Sequence, residues 1–192
     1  MRSGDSPHQT MVKVRFDTPE DRAAIAAVHE GAFGSTQGPE IVGLVAGLLA
    51  DASARPLYSM AAEMDGRVVG HVLFTAVQIQ PEGQGIAAQI LAPLAVLPGL
   101  QGKGIGSALI NEGMRQLAAA GVDLVFVLGY PDYYSRFGFR PARALGFDAP
   151  YAIPAGHDDA WMVMELKPGV IGRVRGTVQC ADTLNDPRHW RE

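Results

Sequence analysis

The sequence has almost no cysteine: Cys180 is the only one among 192 residues. A single cysteine cannot form an internal disulfide, and it cannot supply the cysteine set of a structural zinc site. The histidines His8, His157 and His189 are too scattered along the chain to indicate a metal site, so no bound metal is expected. The sequence therefore predicts a fold that needs neither disulfide nor metal, and a cytoplasmic location is the default expectation.

Long hydrophobic runs are also absent. Glycine, proline or a charged residue interrupts each apolar stretch before it reaches the ~20 residues that a membrane span requires. The first nine residues are polar and lack the apolar centre of a secretory signal. We therefore expect no membrane association, and we interpret residues 1–10 as a disordered leader.

Runs of lysine or arginine are missing, and the net charge is −4 with a pI near 5.7. This balance argues against nucleic acid as the main partner. Hydrophobic residues make up 47% and charged residues 19%, which is ordinary for a globular protein. At this length the chain fits one domain, which we place at residues 11–180, followed by a polar tail at 181–192 that we expect to fray.

The hydrophobic pattern predicts an α+β domain with a mostly antiparallel sheet. An N-terminal signal at Thr18-Pro19-Glu20-Asp21 predicts one helix, and apolar spacing after Gly38-Pro39 predicts a second. The Asp65-Gly66 pair predicts a hairpin. The remaining predictions are strands at 12–16, 57–64, 67–80, 88–97, 124–128, 161–166 and 170–178, a helix at 104–120, and a helical turn at 133–137.

The most informative stretch is a glycine loop between a strand and a helix, Gln101-Gly102-Lys103-Gly104-Ile105-Gly106-Ser107. Glycine lets the backbone approach a ligand closely, and a helix N-terminus offers unpaired N–H groups and a positive dipole end. Lys103 and the Ser107 hydroxyl could add a charge and a hydrogen bond. The loop therefore predicts a phosphate-binding site, although three glycines could also serve only to shape a tight turn.

Two common nucleotide motifs do not fit this loop. A Walker loop requires Ser or Thr after the lysine, where Gly104 stands. The dinucleotide fingerprint requires a third glycine at position 107, which is Ser.

The loop resembles the acyl-CoA-binding motif Q/R-x-x-G-x-G/A of the GNAT superfamily of N-acyltransferases, with Gln101, Gly104 and Gly106 at its fixed positions. More closely, the chain is similar to acetyltransferases of the YhbS type, over 91–96, 101–109, 126–129 and 133–139. The resemblance spans roughly residues 12–178. It implies a three-layer α/β/α GNAT fold whose central strands splay into a V, and acetyl-CoA as cosubstrate.

In this family the pantetheine arm enters the V and bonds to the backbone of the first of its two strands, where Leu94 and Val96 stand in this chain. Proline within a sheet belongs at a bulge or an unpaired edge, which suits Pro93. The backbone near Val96 would also polarise the thioester carbonyl. The cofactor-binding residues implied by the resemblance are Leu94, Ala95, Val96, Gln101, Gly102, Lys103, Gly104, Ile105, Gly106, Ser107 and Phe137.

The family also places a tyrosine four residues before the glycine of a Gly-Phe pair, which here is Tyr134. A tyrosine, with a pKa near 10, stays protonated at neutral pH and can protonate a departing thiolate. The resemblance therefore implies that Tyr134 is the general acid. The neighbours Tyr130 and Tyr133 could be mistaken for it, and Tyr134 could instead be a packed aromatic residue.

The general base and the acceptor stay open. Glu30, Glu82, His71 and Asp132 are all conceivable bases, and a water chain is an alternative. The acceptor pocket is expected between the first two helices and the loops at 81–86 and 140–158. The expected activity is N-acetyl transfer to a primary amine by direct attack on the thioester, where the amine is a small molecule, a peptide N-terminus or a lysine. A non-catalytic acyl-CoA sensor or a structural interaction domain is the alternative, and a homodimer is compatible with the sequence.

Overall fold

Within residues 11–191, which the computed structural model describes, nine strands form a sheet with a helical layer on each face. The expected leader at 1–10 lies outside the described residues. The helices are α1 (Arg22–Ala50), α2 (Ile105–Ala119) and α3 (Pro131–Tyr134). The strands are β1 (Val12–Phe16), β2 (Tyr58–Met64), β3 (Arg67–Pro81), β4 (Ala88–Val96), β5 (Leu124–Leu128), β6 (Arg140–Pro141), β7 (Phe147–Asp148), β8 (Trp161–Glu165) and β9 (Gly176–Gln179).

The strand order is β1-β2-β3-β4-β5-β8-β6, and β9 pairs with both β3 and β7. Only the β4–β5 and β7–β9 pairs within the described chain are parallel. The predicted hairpin joins β2 to β3, and its two turn residues Asp65 and Gly66 have φ values of 50° and 75°, as this turn type requires. The expected mixed, mostly antiparallel sheet is confirmed.

The central strands separate at one end of the sheet. The pairing of β4 with β5 runs from Ala88 opposite Leu124 to Leu91 opposite Val127 and then stops. On its other side, β4 shifts register against β3 between Leu91 and Leu94, so that Pro93 lies in a β-bulge. The bulge turns residues 92–96 away from β5, which produces the predicted V.

Two hydrophobic cores fill the space above and below the sheet. Leu44 and Leu48 of α1 pack against one face, and Ile105 and Leu109 of α2 pack against the other. β5 contributes to both cores, since Phe126 faces the α1 side while Val125 and Val127 face the α2 side. A strand covered on both faces is wholly apolar, as the sequence indicated.

The helical pattern differs from the prediction at one point. A single segment, α1, replaces the two expected helices, and its break lies at Gly34 (φ 76°, ψ −179°) instead of at Gly38-Pro39. Pro39 comes soon after the break, where its missing N–H removes at most one helical hydrogen bond. Thr18 is an N-cap as expected, but of a 3₁₀ turn (Pro19–Asp21) that precedes α1, where it forms a capping box with Asp21.

The expectation of a frayed C-terminus beyond Asp182 is wrong. The Asp51 carboxylate, just past α1, accepts hydrogen bonds from both the backbone N–H and the hydroxyl of Thr183, at 2.9 and 2.7 Å. Trp190 is 2% exposed and packs edge-on against Trp161. The last predicted strand is also shorter than expected and is confined to β9. The C-terminal segment therefore covers the core on the α1 side.

Candidate active site

The glycine loop opens directly into α2. Gly102 and Gly104 have φ values of 73° and 85°, in the left-handed region, and Gly104 is the N-cap residue. No side chain caps this end of α2, and the helical hydrogen bonds begin with Ala108 donating to the Gly104 carbonyl. The N–H groups of the first turn therefore point out of the helix end without helical partners, which is the arrangement that binds phosphate.

The third glycine of the loop has a different cause. A Cβ atom at Gly106 would lie 2.6 Å from the Tyr133 hydroxyl oxygen. Burial raises the pKa of Tyr133, while Arg136 and a hydrogen bond with Ser107 act in the opposite direction. Tyr133 therefore links α3 to the N-terminus of α2, and a side chain at position 106 would displace its hydroxyl.

The glycine loop is also hydrogen-bonded to the end of β4, the strand that forms one side of the V. The Gln101 amide donates a hydrogen bond of 3.1 Å to the Val96 carbonyl. Leu94 and Val96 pack into the core on the α2 side, and the buried Ala95 between them points to the opposite face of the sheet because side chains alternate along a strand. Lys103 is exposed at the loop tip. The glycine loop and the end of β4 thus form one continuous surface.

Tyr134 lies just beyond β5, the strand that forms the other side of the V. Its ring packs against Gly129, the residue after β5, and against Phe139 at 5.7 Å between ring centroids. The side chain is 8% exposed, and within residues 11–191 its hydroxyl has no hydrogen-bond partner. Burial, with a smaller contribution from Tyr133, raises its pKa above the ordinary value. The half-buried Phe137 packs on the ring of Tyr133 instead, at 5.4 Å.

The four candidate bases differ in their surroundings. Glu30 and Asp132 are exposed, and the Glu82 carboxylate accepts a hydrogen bond of 3.0 Å from the Arg175 backbone. His71 is fully buried. Its partner in the structure, His29, was not among the candidate residues and is buried as well.

His29 and His71 belong to a chain of four polar side chains on the α1 face of the sheet. His29 Nε2 lies 2.8 Å from His71 Nδ1, and Ser59 Oγ lies 2.8 Å from His71 Nε2. The chain ends at the Asp17 carboxylate, which accepts hydrogen bonds from Ser59 at 2.7 Å and from Arg22 at 2.6 Å. Helical spacing offers one signal for His29, because Ile25, Val28 and His29 stand at i, i+3 and i+4 on the buried stripe of α1.

The two histidines predict a pH dependence of stability. Burial lowers the pKa of His29 to about 4 and that of His71 to about 3, and near His71 the charge of Arg22 acts in the same direction while Asp21 opposes it. Between these values and the ordinary 6.5 the unfolded chain binds protons that the folded chain does not, so stability falls as the pH falls. Two such groups can produce a slope approaching ~2.7 kcal/mol per pH unit. Urea unfolding at pH 7, 6 and 5 measures it.

The lowered pKa values of Asp21, Asp51 and Glu112 affect stability at lower pH than this window. His29→Gln should therefore reduce the slope between pH 6.5 and 5. An equal slope in the parent and this variant would show that His29 does not titrate as its burial indicates.

The segment expected to form an acceptor pocket, 140–158, borders a shallow groove. Arg143, Asp148, Tyr151, Ile153, Asp158 and Trp161 line it. Arg143 forms an exposed ion pair of 3.2 Å with Asp158. The assignment of this groove to the acceptor stays a prediction.

No helix in the described part of the chain is long and apolar enough to cross a membrane. Among residues 11–191, no three His, Cys, Asp or Glu side chains lie close enough together to hold a metal ion.

The combination of the V, the glycine loop and the uncapped helix end defines a class of protein. The model of the acetyltransferase (GNAT) domain family matches residues 13–142, and the chain belongs to this family. The family, the fold and the enzyme class predicted from the sequence are confirmed.

One relative and two solved structures are similar to this chain over most of its length. The chain is 42% identical over 163 residues to the uncharacterized N-acetyltransferase YjhQ of Escherichia coli K12, covering 84% of this chain and 88% of that protein. The crystal structure of the GNAT family N-acetyltransferase YhbS from Escherichia coli, in complex with CoA, superposes with a TM-score of 0.83 at 28% identity, covering 95% and 97% of the two chains. A GNAT family acetyltransferase from Brucella melitensis in complex with acetyl-CoA has a TM-score of 0.71 at 32% identity, covering 92% and 99%.

Proposed function

We propose that this protein transfers the acetyl group of acetyl-CoA to a primary amine, which attacks the thioester directly. The observation that carries the proposal is the opening between β4 and β5 beside the uncapped N-terminus of α2. A single ligand with a pyrophosphate and an extended arm fits both features. The complexes of two similar proteins with CoA and acetyl-CoA support this ligand.

In this proposal the first turn of α2 binds the pyrophosphate. The N–H groups of Ile105, Gly106 and Ser107 donate to phosphate oxygens, and the helix dipole favours their negative charge. Lys103 adds an exposed, weaker attraction. The Gln101–Val96 hydrogen bond holds the glycine loop against β4. The pyrophosphate and the pantetheine therefore bind to one rigid surface.

The backbone of residues 94–96 faces the open side of the V, where it pairs with the extended pantetheine arm as a missing strand would. Ala95 and the half-buried Ala92 keep this region narrow and apolar on the α1 side. Acetyl-CoA supplies the activated acetyl group. Backbone N–H groups near Val96 stabilise the oxyanion, and one such donor is typically worth about 10²–10³ in rate.

Tyr134 acts on the departing sulfur. Its unpartnered hydroxyl, at the end of the β5 arm, is free to donate a proton. Burial keeps this hydroxyl protonated at neutral pH. The same low-dielectric surroundings also raise the pKa of the departing thiol, which favours its taking a proton.

Calorimetry and a thermal melt with acetyl-CoA test the ligand. Binding to the native state alone stabilises it by RT ln(1 + [L]/Kd), about 2.7 kcal/mol at a hundredfold excess over Kd. A melt that does not shift with millimolar acetyl-CoA, together with silent calorimetry, would refute the assignment.

CoA release with a panel of amines tests the activity. The panel contains small aliphatic and aromatic amines, peptides with free N-termini, and peptides with lysine and a blocked N-terminus. We expect release above the hydrolysis rate with one of these classes. Tight acetyl-CoA binding without release on any of them would favour the non-catalytic sensor.

A further inference from the structure

A cationic side chain lies on the aromatic cluster beside the glycine loop. A short 3₁₀ turn, Ser135–Phe137, follows α3 and ends at Gly138, whose φ is 99°. The turn places the guanidinium carbon of Arg136 4.7 Å from the centre of the Tyr133 ring and 5.7 Å from that of the Phe137 ring. Both distances are within the range of cation–π contacts. Arg136 is therefore held over two rings although it is exposed to solvent.

The contacts of Arg136 leave most of its hydrogen-bond donors unused. Its Nε group donates a long hydrogen bond of 3.4 Å to the Tyr133 carbonyl. Among residues 11–191, no carboxylate lies within ion-pair distance of this guanidinium, and its two terminal nitrogens have no hydrogen-bond partner. The fork of N–H groups on a guanidinium fits two oxygens of one phosphate. Arg136 thus presents a positioned and unneutralised binding group for a phosphate.

Tyr133 connects this arginine to the proposed pyrophosphate site. The Tyr133 hydroxyl forms a hydrogen bond with Ser107 in the first turn of α2. It also lies 2.6 Å from the position that a Cβ atom at Gly106 would take. The guanidinium of Arg136 lies over the ring of the same tyrosine. The N-terminus of α2 and the arginine therefore flank one aromatic side chain.

Acetyl-CoA carries phosphate at two places on one sugar. The pyrophosphate is attached through the 5′ carbon of the ribose, and a third phosphate is attached to the 3′ carbon of the same ring. When the first turn of α2 binds the pyrophosphate, the 3′-phosphate lies one sugar ring away. With the helix end at the Tyr133 hydroxyl and Arg136 over the Tyr133 ring, the protein offers a second phosphate position one ring away from the first.

We propose that Arg136 binds the 3′-phosphate of acetyl-CoA, so that the protein distinguishes acetyl-CoA from its 3′-dephospho form. The inference rests on the proposed acetyl-CoA site and adds a residue to it. Stacking on Tyr133 and Phe137 restricts the long arginine side chain before the ligand arrives, which lowers the entropy lost on binding. The chain as a whole carries a net charge of −4, so an anionic ligand depends on such local positive charge.

Calorimetry with two ligands tests the assignment without any turnover. Acetyl-CoA and acetyl-3′-dephospho-CoA are titrated into the full-length parent and into Arg136→Met. The parent should bind the dephospho ligand about tenfold more weakly, the lower end of what a hydrogen-bonded charge contributes, because the contact is exposed to solvent. Arg136→Met should bind the two ligands with nearly equal affinity. Methionine keeps an apolar chain over the Tyr133 ring, so the melting temperature should change little.

Two other cations provide matched controls. Lys103, at the exposed tip of the glycine loop, is the alternative contact for the same phosphate. Arg140 on β6 is the register partner of Val163, which packs on the α1 side of the sheet, so the Arg140 side chain points away from α2. Lys103→Met and Arg140→Met each remove one positive charge, as Arg136→Met does. Both should keep the tenfold preference of the parent for acetyl-CoA.

The ratio of the two affinities decides between the outcomes. The same ratio in the parent and in Arg136→Met would overturn the assignment. A ratio that is lost in Lys103→Met and kept in Arg136→Met would place the 3′-phosphate at the tip of the glycine loop instead. A parent that binds neither ligand would refute the proposed cofactor site as well. A parent that binds both ligands equally well would overturn the role of Arg136 alone.

Discussion

Tyr134→Phe is expected to reduce kcat by about 10²–10⁴, the range that general acid catalysis contributes. The change removes one hydroxyl, which has no hydrogen-bond partner within residues 11–191, so no buried donor or acceptor is left unpaired. The ring keeps its contacts with Gly129 and Phe139, and the fold should therefore persist. The measurement is steady-state kinetics at saturating acetyl-CoA, with a parallel melt.

Two neighbouring tyrosines make the test specific. Tyr130 is 82% exposed, and Tyr130→Phe should behave as the parent does. Tyr133→Phe is not a neutral control, because the Tyr133 hydroxyl forms a hydrogen bond with Ser107 in the proposed phosphate site. It should raise KM for acetyl-CoA while kcat is retained. Parent-like kcat in Tyr134→Phe, with chemistry rate-limiting, would refute the acid role and leave the fold standing.

Sequence predicted the parts of the proposed site whose features depend only on residues that are neighbours in the chain. Alternate glycines before a helix mark both the backbone conformation at Gly102 and Gly104 and the exposed N–H groups, because both follow from neighbouring residues. In the structure, a turn-shaping role and a phosphate-binding role for these glycines are compatible. The turn requires positive φ at 102 and 104, and the helix end it creates is the one proposed to bind phosphate.

What sequence could not predict depends on distant contacts. His29 and His71 are 42 residues apart, and each alone resembles an ordinary histidine in a helix or strand. The C-terminal segment is polar in composition, yet Trp190 is buried by a cluster of aromatic residues that only the tertiary fold assembles. The break at Gly34 could not be predicted, because the Gly38-Pro39 pair is the stronger local signal for a helix boundary.

Gly104→Val is expected to raise the Kd for acetyl-CoA by about 10²- to 10⁴-fold, which corresponds to losing two hydrogen bonds to a charged phosphate at about 1.5–3 kcal/mol each. Valine is strongly disfavoured at a φ of 85°, so the N-cap must change conformation and the first N–H groups of α2 turn away from their common target. Calorimetry with acetyl-CoA measures the effect. Lys103→Ala should be milder, because its charge is exposed to solvent.

Gly121, just beyond the other end of α2, supplies the matched control for backbone strain. Its φ is 84°, and a Cβ atom there would meet nothing within 4 Å, as at Gly104. Gly121→Val should therefore lower the melting temperature about as much as Gly104→Val does, since both place a β-branched residue in the left-handed region. Only Gly104→Val should also weaken binding, because the N–H groups lie at its end of the helix and carbonyl groups lie at the other. Equal loss of affinity in both variants would attribute the effect to general destabilisation. Unchanged affinity in Gly104→Val would place the phosphates elsewhere.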